Sequence, residues 1–248
     1  MTLEELFPNL AAAGYDLAAT YHANAILSVD FRDAATELDS LISQLSVPII
    51  ELVGSGGGEA QLTQRLRHSL HDRGWVKHNF KVKKLIDEQP TYASSHEVDH
   101  VKAFQAGTIA FEIEWNNKDP FFDRDLESFQ RLHADGAISL GAIVTRGHTF
   151  QNGIQQLIRD YANSTGLTSR QALLDAGIQR TPRQLNAIDR LVERSGYSYA
   201  DAWAKSFTSD KFGAATTHWA KLETRLDRGV GSPCPLLAFG IPLSVVIT

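Results

Sequence analysis

The segment Thr108–Trp115, TIAFEIEW, constrains the fold most. It is an apolar run with glutamates at 112 and 114. In a strand, residues i and i+2 share a face about 7 Å apart. Glu112 and Glu114 therefore stand together, with Phe111, Ile113 and Trp115 on the other side. Two carboxylates on an otherwise apolar strand carry a large desolvation and repulsion penalty unless water or a cation relieves it. A hard divalent ion is the simplest relief, and Mg²⁺ takes oxygen ligands and can activate a bound water. A solvated strand edge is the plain alternative. HEVDHVKAF precedes this strand, joined to it by QAG, so residues 96–115 read as a β-hairpin that could bring Asp99 across to the glutamates.

The rest alternates helix and strand. Residues 1–45 read as helical, with Leu38, Leu41, Ile42 and Leu45 at helical spacing. SVPIIELV reads as a short buried strand and 59–74 as a helix stopped by Gly74. Residues 75–85 read as a strand, 123–136 as a helix and AISLGAIVT as a buried strand. Residues 152–207 are mainly helical, 208–219 a loop, AKLETRLDRG a short helix, and CPLLAFGIPLSVV a last strand. The expected fold is α/β: a mixed central β-sheet flanked by helices. With 248 residues, 43% of them hydrophobic, 1–248 can be one domain.

No stretch approaches the ~20 apolar residues of a membrane span, and the opening MTLEELFPNL is acidic where a signal peptide is basic and then apolar. A cytoplasmic location is expected. A lone cysteine, Cys234, excludes an internal disulfide and a multi-cysteine zinc site, and in CPLLAFGIPL it reads as a small core residue. The net charge of −5 argues superficially against a nucleic-acid partner. Residues 1–60, however, hold nine acids and one base, Arg32, leaving 23 bases against 20 acids in the remainder. Arg65, Arg67, Arg73, Lys77, Lys81, Lys83 and Lys84 form a modest basic stretch, which is either a phosphate-facing surface or a solvated face.

The run from Thr91 to Gly147, TYASSHEVDHVKAFQAGTIAFEIEWNNKDPFFDRDLESFQRLHADGAISLGAIVTRG, together with DRGW at 72–75 and RLDRGVGSPCPLLAFGIP at 225–242, resembles the restriction endonucleases of the BglII and BamHI group. These belong to the PD-(D/E)XK nuclease superfamily. Its motif is an acid on one strand, then an acid, one residue, and usually a lysine on the next. Asp99 matches the first acid and Glu112 the second. Glu114 takes the lysine position, as in BamHI-like enzymes, where BglII-like ones carry glutamine. The interval from Asp99 to Glu112 is wider than in close BglII relatives and predicts a longer hairpin turn.

The resemblance implies a restriction-endonuclease-like fold, residues 150–210 being a helical insertion or divergent segment. It implies Mg²⁺-dependent double-strand cleavage of a short palindromic DNA by a homodimer, with a DNA methyltransferase as functional companion. Asp99 and Glu112 would hold the metal and Glu114 would orient or deprotonate the attacking water. Glu59 is a fourth catalytic candidate, with Thr63 and Gln64 as substitutes; a carboxylate at a helix start is also simply favourable to the helix dipole. The glycine run before it lacks the GK[ST] ending of a nucleotide-binding loop and reads as a flexible approach.

Candidate DNA contacts are Asn116, Asn117 and Lys118 after the acidic strand, Arg146 and His148 after AIVT, and Lys211, Thr216, Thr217 and His218 (with Ser209) in the 208–218 loop. Two other readings compete. A repair or recombination nuclease of the same superfamily would share the chemistry. HEVDH at 96–100 also satisfies the HExxH pattern of zinc peptidases, with Ser95 and Gly107 as possible helix ends, although Asp99 would place a charge on a largely buried helix and no third ligand follows. His68, His71 and His78 are more simply exposed histidines than a metal cluster.

Overall fold

The computed structural model describes residues 1–54 and 59–248; the glycine-run expectation, which concerns Gly56, Gly57 and Gly58, lies outside the described residues. The chain begins with α1 (Leu3–Leu6) and α2 (Pro8–Ala13), the latter ended by Gly14 in the left-handed conformation, φ +82°. Strand β1 (Asp16–Thr20) follows, then α3 (Ala23–Asp30), α4 (Arg32–Ile42), β2 (Val47–Pro48), α5 (Ile49–Val53) and α6 (Gln61–His71). The long pair β3 (Val76–Ile86) and β4 (Gln89–Phe104) leads into β5 (Gly107–Glu114), α7 (Phe121–Ala134) and β6 (Leu140–Arg146). Helices α8 (His148–Ser164), α9 (Arg170–Asp175), α10 (Pro182–Ser195), α11 (Tyr199–Phe212) and α12 (Trp219–Asp227) separate β6 from β7 (Leu236–Ile241). A 3₁₀ turn at Leu243–Val245 and β8 (Val246–Ile247) complete the order, β8 pairing in parallel with β2.

The main sheet has six strands in the order β1-β7-β6-β5-β4-β3. Strands β5, β6 and β7 run parallel, and β1, β4 and β3 add antiparallel neighbours, so the sheet is mixed and the fold is α/β as expected. One face carries Phe111 and Ile113 of β5, Trp115 just after it, and Leu237, Phe239 and Ile241 of β7 into an apolar core shared with α4, α6, α8 and α11. The other face is covered by α7 and α12. Phe122, Leu126, Phe129 and Leu132 make the inward stripe of α7, packed over Ala110, Ile143 and Ala238. Each such side chain contributes roughly 1.5–3 kcal/mol by burial. Gly141 lets α7 come this close: a Cβ there would lie 2.5 Å from the Phe129 ring.

Several elements differ from the sequence expectations. Asp16–Thr20 is a strand within the stretch read as helical: alanine-rich DLAAT has no strand signal of its own, and it is drawn into the sheet by antiparallel pairing with β7, Asp16↔Gly240 to Thr20↔Leu236. The apolar run after Ser46 is strand only at Val47–Pro48 and then turns helical. The helix expected from Glu59 starts at Gln61, and α11 continues through Phe212, so Ser209 and Lys211 are helical and only 213–218 form the loop. The last strand stops at Ile241, before Pro242.

Candidate active site

The hairpin pairs His100 with Phe111 and Phe104 with Gly107. Asp99 is one step beyond His100, opposite Glu112, and its amide donates to Glu112 Oε1 at 3.3 Å. The turn is therefore short, not long: the wide interval between the two acids is taken up by long strands. On the other edge of β4 the register shifts between Val76↔Val101 and His78↔Val98, so Asp99 and His100 together oppose Lys77. Such a bulge re-aims side chains. The Asp99 carboxylate is 59% exposed and 3.6 Å from Lys77 Nζ, which also pairs with Glu97 at 2.6 Å.

Glu112 and Glu114 lie on the α7 face, 5% and 2% exposed. A third buried carboxylate, Asp125, faces them from α7. Burial first, then the charges of Asp125 and Asp99, raise the Glu112 pKa well above the ordinary value. Glu114 and Asp125 face each other, and burial, first, raises the pKa of both. Arg124 favours the charged form of Asp125: its Nε and Nη2 both lie 2.8 Å from Asp125 Oδ1. Asn117 Nδ2 donates to the other side of the glutamate, 3.0 Å from Oε2. An open cleft of about 500 Å³, lined by Asp99, Glu112, Arg124, His96 and Arg131, reaches Glu112 from solvent; Glu114 and Asp125 lie behind it and are not part of its lining.

Asp125 was not expected from the sequence. The signal was available, since 125 falls within the apolar stripe 122–126–129 of the helix that follows the acidic strand. Glu59 is not brought to the cluster; it forms an exposed pair with Arg67 at 3.0 Å and does not line the cleft. Gln64 donates to the Glu59 carbonyl, and α6 packs on the opposite face of the sheet through Leu62, Leu66 and Leu70. Among the described residues no group of three or more His, Cys, Asp or Glu side chains is gathered so as to hold a metal ion. Asp99 leans toward Lys77, and Asp125 is engaged by Arg124.

The HEVDH segment is strand β4, which removes the helical geometry that HExxH requires. His100 is buried, its pKa lowered chiefly by burial, and its Nδ1 bonds the Phe111 carbonyl at 3.2 Å. His68, His71 and His78 are exposed on α6 and β3. Cys234 is fully buried with its thiol pushed up to about 12, which makes it an inert core residue.

The candidate DNA contacts divide. Asn116, Asn117 and Lys118 run on from β5 and pair with the 213–218 loop: Thr217 N donates to Asn117 O at 2.8 Å, and Asp119 N to Ala215 O at 3.1 Å. Lys118 and Asn117 are exposed, Asn116, Thr216 and His218 half-buried. Burial, then the Arg146 charge, pull His218 down to about 4, leaving it neutral at physiological pH. His148 is exposed at the start of α8, where its amide donates to Asp16 Oδ2 at 2.7 Å.

Arg146, expected at the DNA surface, is instead fully buried and presents no side-chain atom to solvent. Its guanidinium donates to the carbonyls of Trp115 and Thr217, to Gln151 Oε1 and to Thr216 Oγ1, and it stacks 4.9 Å from the Phe212 ring. It ties the 213–218 loop to the end of β5. Thr217 is buried in the same tie, and Lys211 is half-buried on α11, its pKa lowered by burial and by Arg180.

The fold is thus a mixed sheet that presents buried acids at a hairpin, with a polar ladder at its rim. The sequence pattern of the family Restriction endonuclease BglII/BglIII matches residues 15–241, and the chain belongs to that family. It is accordingly a restriction endonuclease, a hydrolase that binds DNA and cleaves it at specific sites. No curated protein matches the chain.

Proposed function

We propose that the chain cuts both strands of a short palindromic DNA as a homodimer, in a reaction dependent on Mg²⁺. Asp99 and Glu112 hold the metal, and Glu114 orients and deprotonates the attacking water. The observation that carries this reading is the burial of Glu112 beside Glu114 with Asp99 opposite on the neighbouring strand. The donor set is all oxygen and its charge exceeds what Arg124 offsets, which suits a hard divalent cation. Asp99 gives up only an exposed pair with Lys77 in turning to it, and such pairs contribute little. When bound, Mg²⁺ activates a water and stabilises charge on the phosphate.

Asn117 holds Glu114 in orientation, and the polar rim of residues 116–118, Thr216, His218 and His148 meets the DNA. Residues 1–248 read as one domain; α8, α10 and α11, within the 150–210 insertion, share the apolar core of the sheet, which supports that reading. A companion methyltransferase would protect host DNA in the cytoplasm, where the enzyme would meet incoming DNA. No helix is long and apolar enough to cross a membrane among the described residues.

Glu112→Ala and Glu114→Ala should each abolish plasmid nicking while DNA binding survives. Cleavage retained by either purified variant removes that residue from the mechanism. Calorimetric titration with Mg²⁺ gives an independent readout: binding should be present in the wild type and lost in Glu112→Ala. Discrete fragments from a defined plasmid, abolished by EDTA, are expected; branch-dependent or nonspecific cutting would indicate a repair enzyme.

A further inference from the structure

With Glu114 at the usual lysine position, the reacting phosphate lacks the cation that lysine would bring. A cation stands beside that position on another element. Arg124, near the start of α7, has its guanidinium 3.9 Å from Glu114 Oε1 and 4.4 Å from the Phe121 ring centroid. Asp125 grips it through Nε and Nη2, both at 2.8 Å. The side chain is nevertheless 59% exposed and opens into the cleft that contains Asp99 and Glu112. Nη1 makes no hydrogen bond among the described residues, which leaves two donors of a rigid, permanently charged fork unused in a side chain that lines the cleft.

Asp125 supports the same conclusion from the opposite direction. A carboxylate on the core-facing stripe of a helix is costly unless its charge is needed. This one is 4% exposed, and its Oδ2 has no partner in the structure. Among the described residues its hydrogen bonds are to Arg124. The aromatic ring on one side and the buried carboxylate on the other order a side chain that would otherwise sweep freely through solvent.

We propose that Arg124 is a catalytic residue that hydrogen-bonds a non-bridging oxygen of the phosphate being cut, replacing the missing lysine, and that Asp125 is the residue that positions it. The proposal rests on the reading of Asp99, Glu112 and Glu114 as the hydrolytic centre. The water oxygen bonds to phosphorus as the bond from phosphorus to one deoxyribose oxygen breaks. The water's proton passes to Glu114, whose carboxylate form a divalent cation beside it would favour, and solvent protonates the departing oxygen. Arg124 donates to the oxygen on which charge grows and transfers no proton.

The test uses single-turnover cleavage in Mg²⁺ of a duplex carrying the site mapped from wild-type fragments, with affinity measured separately in Ca²⁺. Arg124→Ala should slow cleavage roughly 10²- to 10³-fold while affinity stays within about threefold, and Arg124→Lys should recover about tenfold. Asp125→Asn should fall between wild type and Arg124→Ala. Sulfur in place of the contacted oxygen should slow the wild type more than either Arg124 variant, a non-additivity that mere loss of structure does not produce. If Arg124→Ala does not fold, the same comparison in Arg124→Lys carries the test. Wild-type rates in Arg124→Ala overturn the proposal. So does a rate loss matched by lost preference for cognate duplex, which would assign Arg124 to base reading, or a sulfur effect undiminished in the variants. A wild type inactive in Mg²⁺, or an active Glu112→Ala, would instead count against the hydrolytic centre itself.

Discussion

Glu112, Glu114 and Asp125 are three carboxyls in a space that favours fewer charges. Burial, then Asp125, push Glu114 up to about 8 from an ordinary 4.5, and Glu112 moves the same way. Groups whose pKa is higher folded than unfolded bind more protons in the native state. Their contribution to stability is full below the ordinary value and declines as pH rises through the folded one. The metal-free protein should therefore show a thermal midpoint that falls between about pH 4.5 and about pH 8. Glu114→Gln should flatten that fall, and Mg²⁺ at the upper end should restore the wild-type midpoint. A wild-type midpoint that rises over the interval contradicts the raised pKa values. Glu112 and Glu114 were legible because a period of two puts them on one face. Asp125 is harder to read, because a charge in a helix looks solvent-facing until its neighbours at 122, 126 and 129 are placed, and the burial of Arg146 is hidden because an arginine at a strand end looks exposed.

Helix α7 delivers both Asp125 and Arg124, so its seating on the sheet matters to the site. That seating depends on Gly141 under the Phe129 ring, with Leu236 Cδ2 3.0 Å from where a Cβ would stand. Gly141→Ala should destabilise the fold by about 1–3 kcal/mol through overpacking, read as a lowered denaturation midpoint with an unchanged slope. Phe129→Leu in the same chain should recover part of the loss; no recovery would place the strain elsewhere. Long periodic elements such as α7, β5 and β6 were legible because their apolar patterns are set by the core they face. Strand β1 and the short β2 were not, since five and two residues hold too little pattern and their conformation comes from β7 and β8.

At the scale of the molecule, the net charge of −5 is a poor guide to the partner. The acid-rich first 60 residues supply helices to the apolar layer on the sheet face away from Glu112 and Glu114. The polar rim at the ends of β5 and β6 is assembled from segments about a hundred residues apart in sequence, joined by the Arg146 tie. This is why the rim was only partly legible: each short stretch is unremarkable until the sheet brings the two together. A palindromic target requires two copies of the site related by a twofold axis. Sedimentation on cognate duplex should show two chains per DNA, and a single chain per DNA at saturation would contradict the dimer.

The hairpin pairing has a consequence for how such enzymes diverge. Every pair in the ladder sums to one constant, from Phe104↔Gly107 out to His100↔Phe111. Adding one residue to each arm moves the two acids apart in sequence by two and leaves them opposite each other in space. With the two-residue turn between Phe104 and Gly107 kept, the interval between Asp99 and Glu112 is thus a parity, always odd, and not a fixed length. The arm can lengthen or shorten in paired steps while the acids stay where they are. A single-residue insertion in one arm, by contrast, must be absorbed as a bulge or it turns Asp99 away from the cleft.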